Sequence, residues 1–210
     1  MKKSCTLFIL FLMTINLFSQ ATDESARNLE VGVNATAFVS SLFGNTSFDD
    51  YLFTIKKHLK SDKTLRVGFG FNGSFLTDDP SSDDITNNTT ITSFEFDLRV
   101  GAEKNIMTKG NWSIKLGFDG ITGYFINTRK ITQGKRIFQN YYLGLGPVTG
   151  IQYMINDRIG LLTEASFFTS ISEIKDEEKS DSPTFDDKDK RTSINFGMRI
   201  PTNVIFFVNF

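Results

Sequence analysis

His58 is the sole histidine in 210 residues, and it is the residue whose chemistry speaks most directly to an enzymatic role. A histidine can act as the general base of a hydrolase or acyltransferase when a nucleophile and an orienting acid lie within hydrogen-bond reach. It follows Lys56 by two positions, so the two share a face if the stretch is extended. Acid-rich runs from Asp78 to Asp84 and from Glu173 to Asp189 invite a calcium reading, yet neither keeps the ligand spacing of a calcium loop. The Gly-x-Gly triplets that begin at Gly68 and Gly144 fall inside alternating apolar and polar residues, whereas a phosphate cradle needs a strand-to-helix turn. The one cysteine, Cys5, lies in the N-terminal apolar stretch, which leaves the rest of the chain without thiol chemistry. No cofactor or metal is called for, and the chain is read as non-enzymatic.

The elements that must carry these residues show period-two alternation almost throughout. In the first, Leu29, Val31, Val33, Ala35, Ala37 and Val39 oppose Glu30, Gly32, Asn34 and Thr36. In a second, Leu65, Val67, Phe69, Phe71 and Phe75 oppose Arg66, Gly68, Gly70, Asn72 and Ser74. In a third, Phe94, Phe96, Leu98 and Val100 oppose Glu95, Asp97, Arg99, Gly101 and Glu103. Weaker alternation marks Tyr51 to Leu59, Trp112 to Ile126, Tyr141 to Ile155, Ile159 to Phe168 and Ser193 to Phe210. A helix, with its period of about 3.6, would not sort residues this way. Twenty-two phenylalanines against four prolines fit an all-β chain, which predicts eight strands. Connections alternate long and short, so long ones gather at one end and short ones at the other.

Alternation alone leaves open which face is inside, and the polar face decides it. That face mixes glycines with charges of both signs, which suits the narrow interior of an eight-stranded barrel. An arginine or lysine turned toward a bilayer midplane costs about 2–4 kcal/mol, so the charged face is expected to line the lumen. The expected ladder comprises Glu30, Lys56, Arg66, Glu95, Asp97, Arg99, Glu103, Lys115, Asp119, Glu164 and Arg199, paired into a closed interior. Tyr51, Tyr124 and Tyr141 beside long connections, and Trp112 and Tyr153 beside short turns, form two candidate aromatic girdles.

The opening residues, with Lys2 and Lys3 before an apolar stretch from Cys5 to Phe18, read as a signal peptide over residues 1–21. A short segment, 22–28, then leads into a barrel over 29–210. A net charge of −1 and the lack of a Lys/Arg run give no reason to expect nucleic acid.

Together these features resemble the OmpA/OmpX-like outer-membrane β-barrel superfamily, and more narrowly the "outer membrane protein β-barrel domain" group common in Bacteroidetes. The resemblance implies an up-and-down transmembrane β-barrel of eight antiparallel strands in the bacterial outer membrane, in contact with outer-membrane lipid. It also implies that Phe206, Val208 and Phe210, at alternate positions, are read by the barrel-assembly machinery. The expected role is structural, adhesive or surface-interactive, through acidic loops and an extracellular partner. A small pore or transport component is the alternative, and a lipid-modifying enzyme the next. The last would meet its substrate at the outer leaflet, whereas the order of connections puts His58 at the periplasmic end.

Overall fold

The computed structural model describes residues 28–36, 51–59, 62–78, 89–131, 134–180, 187–199 and 204–210. The proposed signal peptide, residues 37–50 and Pro201 lie outside them. Nine strands follow one another: β1 (Leu29–Asn34), β2 (Phe53–His58), β3 (Lys63–Asp78), β4 (Thr89–Lys109), β5 (Trp112–Ile131), β6 (Gly134–Met154), β7 (Ile159–Ser180), β8 (Asp187–Arg199) and β9 (Ile205–Asn209). All pairings are antiparallel, between sequence neighbours as far as β8, and β9 then pairs with both β7 and β1. The sheet therefore closes on itself. Closure satisfies the backbone groups that an open edge would leave unpaired. Among the described residues no helix is long and apolar enough to cross a membrane.

β8 and β9 run along the same edge of β7. Ser166 pairs with Arg199, and Leu162 pairs with Ile205, a shift of two positions between the two registers. The offset is even, which keeps Gly197, Ile205 and Phe207 on one face. The sequence suggests either one strand from Ser193 to Phe210 with a bulge or bend at Pro201, or two short strands joined by a turn over Pro201 to Asn203. The described residues form two strands in offset register.

The short-turn end is tightly made. Gly110, the first of two residues joining β4 to β5, has φ +57°, a conformation glycine adopts without strain. A register shift between Asn105 and Met107 leaves Ile106 as the extra residue of a β-bulge. Between β6 and β7 the side chain of Asn156 accepts hydrogen bonds from the amides of Arg158 and Ile159, both at 2.9 Å. At the same end Phe210 donates its amide to the Leu29 carbonyl at 2.8 Å.

The other end departs from expectation. The sequence predicts long connections over residues 127–140 and 171–192, but β5 runs to Ile131, β6 starts at Gly134, and β7 and β8 pair from Ser166↔Arg199 up to Glu178↔Asp187. These stretches are polar on both faces, so they carry no alternation to be recognised. Ladder hydrogen bonds extend them as hairpins regardless.

Side-chain burial inverts the pattern of a water-soluble protein. Of the buried residues, Glu30, Lys56, Arg66, Asp97, Arg99, Glu103, Lys115 and Asp119 are ionisable, whereas Phe71, Phe75, Phe96, Phe118, Leu143, Phe196 and Met198 are exposed on the opposite parity. Among the described residues, Leu162, Ile205 and Phe207 form a small apolar cluster inside the ring, with Met154 against them.

Candidate functional site

The interior of the ring holds a charge network drawn from six strands. Period two aims Glu30 of β1, Lys56 of β2, Arg66 of β3, Arg99 and Glu103 of β4, Lys115 and Asp119 of β5, and Glu164 of β7 at a common axis. Small residues clear the space. A Cβ added at Gly68 would stand 2.5 Å from Arg99 Nε, so the Arg99 stem crosses the ring only because position 68 is bare.

Two carboxylates act as hubs. Glu103 receives Lys56 Nζ at 2.9 Å, Lys115 Nζ at 3.1 Å and Arg66 Nη1 at 3.0 Å. Glu164 receives Arg66 Nη1 at 2.7 Å, Arg99 Nη1 at 2.6 Å and Lys56 Nζ at 3.5 Å. Arg66 also forks onto Asp119, donating from Nε to Oδ1 at 2.7 Å and from Nη2 to Oδ2. Bidentate, charge-assisted bonds of this kind suit the planar guanidinium, and they offset the desolvation of charges that are 1% exposed. Arg99 completes its set with Thr54 Oγ1 at 3.0 Å and with the ring of Tyr51, whose centroid is 4.6 Å from Cζ.

The remaining candidates are placed around this core. Glu30 lies at its edge, with Oε1 3.9 Å from Lys56 Nζ and Oε2 3.4 Å from His58 Nε2. His58 Nδ1 is 2.9 Å from Thr64 Oγ1. Its neighbours are thus a carboxylate and a hydroxyl near the short-turn end. Glu95 and Asp97 stand apart, toward the long-connection end, lining a cavity of about 170 Å³ with Asn140, Tyr142, Phe168, Ser170, Ser172 and Asn195. There Tyr142 donates its hydroxyl proton to Asp97. Arg199 ends β8, and its side chain lies outside the described residues. Phe206, Val208 and Phe210 share one parity, with Phe206 exposed, while Phe207 between them is fully buried.

The girdle reading needs one correction. Tyr51 is buried and stacks under Arg99 inside the ring, so it does not belong to an outward belt. The other four pair up on one hairpin: Trp112 with Tyr153 at 4.6 Å between ring centroids, and Tyr124 with Tyr141 at 4.5 Å. On β5 the two pairs are separated by positions 112 to 124, which at ~3.3 Å per residue and ~40° of tilt is about 30 Å of height. An apolar band about 25 Å tall fits between them.

Thr54, Gln152, Ser170 and Ser172 are buried in the interior and were not singled out from the sequence. Their signal was parity: Thr54 alternates with Lys56, and Ser170 and Ser172 alternate with Glu164. The acid-rich run after Glu173 is also ordered by ion pairs, with Glu173 between Lys175 and Lys190, Glu177 facing Lys188, and Asp176 held by Arg136.

No protein-family model matches the chain, and no curated protein matches it. Among solved structures it is similar to a major outer membrane protein from Thermus thermophilus, at 12% identity and a TM-score of 0.47 over 87% of this chain and 98% of that one. It is also similar to the ferric yersiniabactin uptake receptor from Yersinia pestis, at 9% identity and a TM-score of 0.37, covering 69% of this chain and 23% of that one. Likeness of that degree leaves a functional reading to rest on this chain's own residues.

Proposed function

We propose that the chain is an integral outer-membrane protein of OmpA/OmpX-like kind: an up-and-down β-barrel of eight strands, with β8 and β9 counted as the two halves of the closing strand along β7, exported by its signal peptide, with a lumen closed by charge. Its role is structural, adhesive or recognitive at the cell surface, through the extended hairpins that rise beyond the Tyr124–Tyr141 pair and an extracellular partner. The observation that carries this reading is the inverted distribution of polarity, with Arg66 and Lys56 1% exposed while Phe75 and Phe196 are each 72% exposed. In water such an apolar surface would drive association, whereas in a bilayer it is the solvated face.

The network favours a closed barrel over a pore, because its guanidinium groups and carboxylates bridge opposite walls. Phe206, Val208 and Phe210, with Phe206 turned outward, are proposed as the stretch recognised by the assembly machinery. His58 is proposed as an interior polar residue without a catalytic part.

Cell fractionation tests the reading. The protein should stay with outer membranes after alkaline washing and should shift in gel mobility on heating. In planar bilayers it should show no stable conductance. Recovery in the soluble periplasmic fraction would overturn the membrane assignment, and a stable open state of ion-passing size would overturn the closed lumen.

A further inference from the structure

Lys130, Lys135 and Lys179 stand in one row across three strands, with Lys130 paired to Lys135 and Lys135 paired to Lys179. Directly opposed residues in an antiparallel sheet have Cα atoms about 4.5–5.5 Å apart, and like charges so placed repel. All three take the outward parity of Tyr124 and Tyr141, since β5, β6 and β7 pair here without a register shift. Among the described residues none of the three meets a carboxylate. The other outward lysines of these hairpins do: Lys175 and Lys190 hold Glu173, and Lys188 holds Glu177. Among the described residues, a sheet that neutralises its neighbouring lysines and sets no carboxylate against this row is suited to receive an anion.

Height selects the kind of anion. On β5 the row lies at position 130 against Tyr124 at the girdle, and on β6 at position 135 against Tyr141. At ~3.3 Å per residue and ~40° of tilt, that is about 15 Å above the aromatic ring. Lysine stems reach down only part of that distance. The phosphate of an ordinary phospholipid sits close to the girdle, too low for three ammonium groups at once. Phosphates carried on an extended sugar headgroup reach the row.

We propose that Lys130, Lys135 and Lys179 form a binding site for a phosphorylated glycolipid of the outer leaflet, engaging phosphates on its headgroup sugars. The site rests on the membrane reading above and gives it a specific lipid partner. Each ammonium acts as a point charge on a phosphate, without need of a bidentate fork.

The test uses the full chain folded in detergent with chelator present, titrated with lipopolysaccharide carrying a phosphorylated core, with the same lipid after chemical dephosphorylation, and with phosphatidic acid. Native mass spectrometry should give at least about tenfold preference for the phosphorylated glycolipid over the other two, as expected from roughly fivefold per lysine near an anionic surface. K130Q/K135Q/K179Q should abolish the preference. K175Q/K188Q/K190Q, which removes the same charge from residues engaged in ion pairs, should keep most of it.

Equal binding of all three lipids by the wild type, or equal loss in both triple variants, would overturn the site. Preference for phosphatidic acid would also overturn it, placing the anion at the girdle. Heat-modifiable mobility measured on the same samples separates the two readings. A folded, detergent-dependent protein without lipid preference leaves the membrane reading standing, whereas a protein soluble without detergent removes both.

Discussion

Arg66 of β3 and Glu164 of β7 stand on opposite walls of the ring, yet Nη1 of one lies 2.7 Å from Oε1 of the other. With Asp119, Glu103 and Arg99 joined to the same pair, the interior is spanned side to side at this level. The contact gives the sheet a crosspiece that no hydrogen bond between neighbouring strands provides.

Removing one partner of such a pair should therefore be costly. Arg66→Met leaves Asp119, Glu103 and Glu164 facing one another with less cation between them, and should lower stability by about 3–5 kcal/mol. Glu164→Gln in the same background should restore part of it, a coupling that a double-mutant cycle reads directly. Urea titration in bilayers, followed through the single Trp112, measures both. Additive losses would mean that the two side chains do not interact.

Opening the crosspiece should reveal the charge of the lumen. Among the described side chains, four interior cations, Lys56, Arg66, Arg99 and Lys115, face six carboxylates, Glu30, Glu95, Asp97, Glu103, Asp119 and Glu164. An Arg66→Ser/Arg99→Ser variant removes two of the cations, so any conductance it gains should select for cations. Planar-bilayer reversal potentials in a salt gradient decide the sign. Anion selectivity would contradict the placement of these carboxylates.

The outward belt should tolerate charge according to depth. Phe118 lies midway along β5 between Trp112 and Tyr124 and is 52% exposed. Phe118→Arg should cost about 2–4 kcal/mol, against about 0–1 kcal/mol for Trp112→Arg at the boundary. Folding titrations in bilayers measure the difference. Equal costs would place the belt elsewhere.

Beyond the girdle, the hairpin of β6 and β7 should loosen in acid. Hydrogen bonding from Arg136 holds the Asp176 carboxyl below its ordinary value of 3.8. A depressed folded pKa contributes stability that is present above the unfolded value and lost as pH falls through the folded one. Hydrogen exchange of Ile174 to Glu178, corrected for intrinsic rates, should quicken below pH 3.8. Asp176→Asn should show the quickened rate already at neutral pH. Both partners are solvent-facing, so the effect is local.

The inner wall near the short turns should depend on Phe207. It is fully buried with Leu162 and Ile205, on the strand that closes the ring against β1. Phe207→Ala should cost about 3–5 kcal/mol by cavity formation. Phe206→Ala, its exposed neighbour, should cost much less in the same titration.

Much of this was legible from parity alone. Once Glu30, Lys56, Arg66 and Arg99 fall on one face and Val31, Val67 and Phe96 on the other, a closed sheet has only one sensible way round. Parity says nothing of partners across the ring: that Glu164 meets Arg66 depends on register and shear, which accumulate strand by strand. It also fails where both faces are polar, which hid the extension of β7 through Glu173 and Glu177. Tyr51 falls outside the belt although its alternating stretch opens beside a long connection, where an interfacial tyrosine is also expected. The pull of Arg99 on its ring is a tertiary effect. Phe207 was hidden among outward aromatics, and only the packing of Leu162 and Ile205 shows why it turns in.

The central claim is that the apolar face is the lipid face. Cys5 lies in the proposed signal peptide, so single cysteines can be introduced and spin-labelled at Phe118, Leu145 and Phe196, and at Ser170 and Ser172 for comparison. In reconstituted bilayers, labels at 118, 145 and 196 should collide with dissolved oxygen and be shielded from a water-soluble nickel relaxant, with the reverse preference at 170 and 172. Nickel-accessible labels at 118, 145 and 196 would contradict the account.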